Sequence, residues 1–213
     1  MASQTRGART RQQLLDAAAA VFLECGYEGA SMGEITKRAG LTKGAAYFHF
    51  SSKEALARSV LDEAVTTDGV LPQTLKLQEL VDIAMGLAYR LPREPVQAAV
   101  LRLAVDNTAR RLLGTAWPEW ITVLTDVLVE AKRRGETLPH LDPVQTGRVV
   151  MSAWTGMSLV LDEVPSGADL EHHIASLLDH LLPSIAVPAV LAQLDTAPGR
   201  GARVALVPLG STA

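Results

Sequence analysis

The ten residues from Leu41 to Phe50, LTKGAAYFHF, leave this chain few ways to fold locally. Thr42 suits a helix N-cap, where its hydroxyl accepts from the unpaired amides of a first turn. Gly44 and Ala45 lack the bulk to hold a neighbouring surface away, and Lys43 is then free to point outward. Tyr47 and His49 can donate to phosphate oxygens, while Phe48 or Phe50 faces inward as the anchor. Just upstream, Ser31-Met32-Gly33-Glu34 is a capping box, and Met32, Ile35 and Ala39 make one apolar face that ends at Gly40. Helix, tight glycine turn, helix is the spacing of a helix-turn-helix, whose second helix enters the DNA major groove. Leu14, Leu15, Ala18, Val21, Phe22 and Cys25 recur at helical spacing up to Gly26, so a third helix backs the pair. Cys25, the single cysteine, falls on that apolar face and reads as core packing.

Charge supports a DNA-facing end. Residues 1–60 hold eight Lys or Arg against five Asp or Glu, whereas the other 153 residues hold 12 against 18. A cationic head favours phosphate, and an acidic remainder is repelled by it. Arg6, Arg9 and Arg11 form a basic arm just before the first helix. The DNA-facing set expected from these patterns is Arg9, Ser31, Thr42, Lys43, Gly44, Ala45, Tyr47, His49 and Lys53.

With Gly26-Tyr27 between the first two helices and Ser52-Lys53-Glu54 after the aromatic cluster, the stretch from Arg9 to Leu61 resembles the DNA-binding domain of the tetracycline-repressor family of one-component regulators. Ala46 departs from the larger aliphatic residue usual in that family. The resemblance implies an all-α protein: an N-terminal three-helix helix-turn-helix domain and a larger C-terminal helical domain for ligand binding and dimerisation.

The remaining sequence agrees with that class. A helix over Leu56–Ala64 begins at or just after Ser51-Ser52-Lys53-Glu54, and TTDGVLPQT from Thr66 to Thr74 reads as a loop. Helical spacing then runs through Leu77–Ala88, from Pro95 to Leu103, from Trp117 to Ala131 after a loop through Gly114, from Pro143 to about Leu161, and from Leu170 to Leu181. No segment alternates as a strand does. The boundaries expected are residues 1–51 for the DNA-binding domain, 52–195 for the C-terminal domain and 196–213 for a loosely ordered tail or an extended strap.

Val149 to Leu161 is apolar or small nearly all round, so that helix is covered on two sides. Together with the stripe on the next helix it can pair across a two-fold axis as a four-helix bundle, with Val149, Leu161, Leu170, Ile174, Leu177, Leu178 and Leu181 as the interface. A homodimer is also what recognition requires, because one short helix contacts too few bases. Two copies read half-sites about 34 Å or a multiple apart on a near-palindromic operator.

Trp117, Trp120 and Trp154 with Met85, Leu87, Leu124, Met151 and Met157 supply flat, adaptable surface suited to a small apolar ligand, and equally to an ordinary core. Thr155 adds a hydroxyl among them. The segments Arg102-Leu103-Ala104, Trp117-Pro118-Glu119-Trp120, Gly135 to His140 and Ile185 to Pro188 together resemble the γ-butyrolactone autoregulator receptors of antibiotic-producing soil bacteria. That resemblance implies that Trp120 stacks over a lactone, furan or butenolide with an alkyl tail, and that ligand binding releases DNA. The candidate ligand residues are Met85, Leu87, Trp120, Leu124, Met151, Trp154 and Thr155. Relatives of that subgroup that answer to an antibiotic or another apolar molecule are the alternative.

An enzyme is not expected. His172-His173 is the histidine cluster, and adjacent helical residues point about 100° apart, which suits no shared metal. No nucleophile elbow, phosphate loop or paired catalytic carboxylates occur. A hydrolase and a helical scaffold that ignores DNA are the weaker alternatives. No cofactor is called for, and no apolar run approaches the roughly 18 residues of a membrane span, so a cytoplasmic location without signal or anchor is expected.

Overall fold

The structure is a computed structural model and describes residues 2–63, 65–163 and 169–205. It is all-α. The elements are α1 (Ala2–Gly29), α2 (Met32–Arg38), α3 (Lys43–His49), α4 (Lys53–Glu63), α5 (Lys76–Arg90), α6 (Pro95–Val105), α7 (Asn107–Leu113), α8 (Trp117–Arg133), α9 (Pro143–Glu163), α10 (Leu170–Leu181), α11 (Pro188–Leu191) and α12 (Arg200–Ala205). They fall into two compact units, residues 1–66 with 91–116, and residues 67–90 with 117–213. This differs from the boundary expected after residue 51, because residues 52–66 and 91–116 pack with the N-terminal helices.

In the first unit the long face of α6 lies along α1, and α2 and α4 close the remaining sides. Leu14, Leu15, Ala18 and Phe22 of α1, Ile35 of α2, Leu56 and Val60 of α4, and Leu103 of α6 form its buried centre. The backbone of α1 leaves the helical region at Gly26 (φ 69°, ψ −176°), the position where the apolar period stops. Positive φ favours glycine, and a Cβ there would sit 3.3 Å from Asp106 Oδ2. Asp106 accepts from the Tyr27 amide at this bend and from the Thr108 and Ala109 amides that open α7. The Ala109 amide, with those of Tyr27 and Thr108, holds the Asp106 carboxyl below its ordinary pKa.

Two expectations change here. α7 replaces the loop foreseen before Gly114: only Ala109 and Leu113 of its seven residues are buried, so its apolar period is too short to register. The Asp106 cap and Gly114 at φ 78° were its local signals. Cys25 is exposed, not core, because the buried face of α1 centres on Leu14, Ala18, Val21 and Phe22, and residue 25 lies at its edge. Its thiol donates back to the Val21 carbonyl at 3.1 Å.

In the second unit α5 is the central rod, packed by α8, α10 and α12, while α9 lies against α8 and α10. Leu77, Leu80, Val81, Ala84, Met85 and Ala88 are buried as their spacing requires, and the polar side of α5 is buried too. What covers it is the segment expected to be a loose tail or an extended strap. Residues 196–205 turn back so that Gly201 and Val204 of α12 are buried. A Cβ on Gly201 would lie 2.2 Å from the Met85 carbonyl oxygen, a contact only glycine permits. Arg200 grips Asp82 of α5 through Nε at 2.8 Å and Nη2 at 2.9 Å and reaches Asp195 through Nη1 at 3.0 Å. The rest of the tail, residues 206–213, lies outside the described residues.

The other end of α5 is held by the α8–α9 loop. Both oxygens of buried Glu136 accept from its first turn, the Lys76 and Leu77 amides, at 2.9 Å each. That loop is fixed in turn by an antiparallel bridge between Thr137 and Ala186, with Val187 N donating to Glu136 O. None of the described helices is long and apolar enough to cross a membrane.

A candidate DNA-reading helix and a candidate ligand compartment

The first unit builds α3 from its caps outward. Ser31 Oγ accepts from Glu34 N at 3.1 Å, Gly40 turns the chain at φ 67°, and Thr42 Oγ1 accepts from Ala45 N at 3.2 Å. α3 is held on the unit by Ala46 and Phe50, both buried, with the Arg11 guanidinium over the Phe50 ring at 5.3 Å. Phe50 is therefore the anchor. Lys43, Gly44, Tyr47 and Phe48 are exposed, and Ala45 and His49 are half-buried. The unit holds twelve Lys or Arg against nine Asp or Glu, and the other unit eight against fourteen, so the cationic excess stays with α3 when the division is drawn from packing.

Two of the expected DNA-facing cations sit differently. Arg9 and Arg11, expected in an arm before the first helix, lie on α1 itself, which among the described residues begins at Ala2. Arg9 is exposed, whereas Arg11 is engaged with Phe50 and, at 3.8 Å, with Glu63. Lys53 turns inward. Its ammonium donates to the Tyr27 and Ala30 carbonyls at 2.7 and 2.8 Å and sits 4.4 Å from the centre of the Tyr27 ring. These carbonyls end α1 and lead into α2, so Lys53 fastens the end of α1 to the start of α4. Replacing Lys53 by methionine is expected to lower stability by about 2 kcal/mol, as for charged hydrogen bonds, and to leave the salt dependence of DNA binding unchanged. Denaturant melts and binding at several salt concentrations check both halves, and a flatter salt dependence would return Lys53 to the phosphate-facing set.

In the second unit all seven candidate ligand residues are buried, from Met85 at 0% to Thr155 at 8% exposure. They lie on α5, α8 and α9. Trp154 Nε1 donates to the Ala84 carbonyl at 3.1 Å, which pins α9 to α5 and fixes the plane of the indole. Thr155 Oγ1 is buried and has no hydrogen-bond partner. An unpaired hydroxyl in an apolar interior costs free energy. A polar group brought by a ligand would satisfy it.

The expected dimer residues divide. Ile174 and Leu178 are 0% and 2% exposed within one chain, so α5 and α9 bury them without a second subunit. The outer stripe of α10 is Leu170, Leu177 and Leu181, all half-buried. On α9, Val149 and Val160 stand 55% and 59% exposed, with exposed Gly156 between them, and Leu161 is half-buried. Gly156 and Val160 share the stripe with Val149 at helical spacing but were not singled out, since a segment apolar all round hides which side stays open. A groove of about 210 Å³ between Gln145, Thr146, Val149 and Val150 of α9 and Leu181, Ser184 and Ile185 adjoins this face.

The family model "Bacterial regulatory proteins, tetR family" matches residues 14–60. Over 196 residues, 91% of this chain and 70% of the relative, the sequence is 38% identical to the A-factor receptor protein of Streptomyces griseus. The chain belongs to the TetR family. The fold of this TetR-family regulator superposes on that of TylP, a TetR regulator from Streptomyces fradiae, with a TM-score of 0.87 and 40% identity, covering 93% of this chain and 97% of that one. It is similar as well to a γ-butyrolactone receptor described as ArpA-like, with a TM-score of 0.68 and 26% identity over 94% of this chain and 97% of that one. Its two units therefore correspond to an architecture shared with regulators of this kind over nearly the whole chain.

Proposed function

We propose that this TetR-family regulator is a homodimeric repressor that reads a near-palindromic operator with one α3 per subunit and is released by a small γ-butyrolactone-like molecule. The observation that carries the DNA half is the outward set on α3, Lys43 and Tyr47, on a helix capped by Thr42 and anchored by Ala46 and Phe50. Lys43 contacts base edges, and Tyr47, His49 and Arg9 contact phosphates. Ser31 and Thr42 keep their hydroxyl hydrogens for phosphate while their lone pairs cap the helices, and Gly44 and Ala45 let the duplex approach. Its place of action is the cytoplasm, where the operator is. The genes it governs are those of antibiotic production, a reading supported by its likeness, at 28% identity and a TM-score of 0.74, to a solved structure described as the molecular basis for control of antibiotic production by bacterial hormones.

Dimerisation uses the outer stripes of α9 and α10, Val149, Gly156, Val160, Leu161, Leu170, Leu177 and Leu181, while Ile174 and Leu178 back that face from inside. The ligand compartment is the apolar interior of the second unit. Trp120 supplies a flat surface for a ring, the alkyl tail gains roughly 0.8 kcal/mol per buried methylene, and Thr155 answers the polar group. The ligand acts by population shift: it binds better to a body conformation in which the two reading helices no longer match the half-sites.

Thr155 gives the ligand half a test with opposite signs. Thr155→Val removes an unpaired buried hydroxyl, so the empty protein is expected to gain about 1 kcal/mol of stability, while the loss of one ligand hydrogen bond raises the lactone concentration needed to release DNA roughly tenfold. Thermal melts and release titrations with a synthetic γ-butyrolactone measure both. An empty protein made less stable, or an unchanged release midpoint, would count against the compartment. An antibiotic that releases DNA where lactones, furans and butenolides all fail would move the protein to the alternative ligand class.

A further inference from the structure

Phe48 has no role in the reading so far, and its position is costly. It is 85% exposed, whereas Phe50, two residues on, is buried at 4%. A phenylalanine side chain in water forgoes the free energy that burying such a group yields. The ring is held by His49, which it meets edge-on with centroids 5.3 Å apart and planes at 88°. It is thus presented at a definite place on the exposed side of α3.

Helical side chains lean toward the N-terminus, over the residue four positions back. For Phe48 that residue is Gly44, and nothing lies within 4 Å of where a Cβ on Gly44 would sit. The Phe48 ring thus stands clear of Gly44, and the open space there lies beside an exposed apolar ring next to the row occupied by Lys43 and Tyr47. A benzyl group has no donor or acceptor, so it can neither grip a phosphate nor pair with a polar base edge. In the major groove the exposed apolar group is the C5 methyl of thymine.

We propose that Phe48 is a specificity-determining residue that packs on the C5 methyl of one thymine in each operator half-site. This rests on the reading that α3 lies in the major groove. It adds a base preference that hydrogen bonds from Lys43 cannot supply, because replacing thymine by uracil leaves every donor and acceptor in place.

The experiment uses the full-length protein and an operator duplex recovered by selection from random DNA. Each thymine of the half-site is replaced in turn by deoxyuridine, symmetrically in both halves, and affinity is measured by anisotropy. One position is expected to stand out, with a loss of about fourfold per methyl and about fifteenfold for the pair, from the transfer value of one buried carbon. Phe48→Ala should weaken the parent operator by at least as much and show no further loss with deoxyuridine at that position, whereas Phe48→Leu should keep part of the discrimination. Because Phe48 is exposed, the melting temperature of these variants should match that of the parent protein. If deoxyuridine is silent at every thymine, or if its penalty persists in Phe48→Ala, the assignment of Phe48 is wrong while the regulator stands. If the parent protein selects no duplex at all, the DNA-reading assignment of α3 fails and this one with it.

Discussion

Replacing Arg200 by alanine is expected to destabilise the second unit by about 3 kcal/mol, the lower end of the range for removing one partner of a buried ion pair. Asp82 is 1% exposed as a side chain, and Arg200 is 18% exposed. Without the guanidinium, Asp82 keeps Gln73 Nε2 and Gln78 Nε2 as donors at 3.1 and 3.0 Å but has no countercharge. Arg200 is also the first residue of α12, so losing it frees the segment that places Gly201 on the Met85 carbonyl. At about 2–4 °C per kcal/mol for a chain of this size, the melting temperature should fall by roughly 6–12 °C. The pairwise change Asp82→Leu with Arg200→Met removes both charges and should recover most of the loss, since apolar replacements of a buried pair are often neutral or better. A melt unaffected by Arg200→Ala would mean that the strap rests on α5 without holding it.

The second large effect belongs to α3. Lys43→Ala is expected to cost 1–3 kcal/mol at each half-site. A dimer carries the change twice, so the operator should bind about thirtyfold more weakly at the least. Adding Tyr47→Ala removes a phosphate donor from the same row, and the pair of changes should reduce binding to the level of unrelated duplex. Both side chains are exposed, so stability should move by no more than about 0.5 kcal/mol. Sedimentation should find the same assembly as for the parent protein. Operator affinity retained in the double variant would remove Lys43 and Tyr47 from the reading surface.

The helix-turn-helix of α2 and α3 was legible in the sequence because its determinants are local. A capping hydroxyl, a glycine at positive φ and a run of small residues act within four positions of where they stand, and Ser31, Gly40 and Thr42 perform the roles their neighbours imply. Helix spacing likewise placed α5, α6, α8, α9 and α10. What could not be read depends on distant partners. Lys53 resembles any exposed cation of a DNA-binding head until the fold brings the Tyr27 and Ala30 carbonyls to it. Arg200 sits in a stretch rich in glycine and proline, and its partner Asp82 is 118 residues away, so nothing nearby marks the segment as ordered. Ile174 and Leu178 belong to the same apolar period as Leu170 and Leu181, and periodicity alone does not say which side of α10 faces α5. Phe48 and Phe50 were interchangeable as anchors until the C-cap at Phe50 turned that ring inward.

The account stands on two copies of α3 engaging one duplex together, and the spacing of the half-sites interrogates that directly. Five base pairs inserted between the half-sites turn one of them by about half a helical turn, to the opposite side of the DNA. Full-length protein titrated against the parent and the lengthened operator, at one salt concentration, should lose its specific affinity for the lengthened one and bind it no better than unrelated DNA. Equal affinity for the two duplexes would contradict paired recognition.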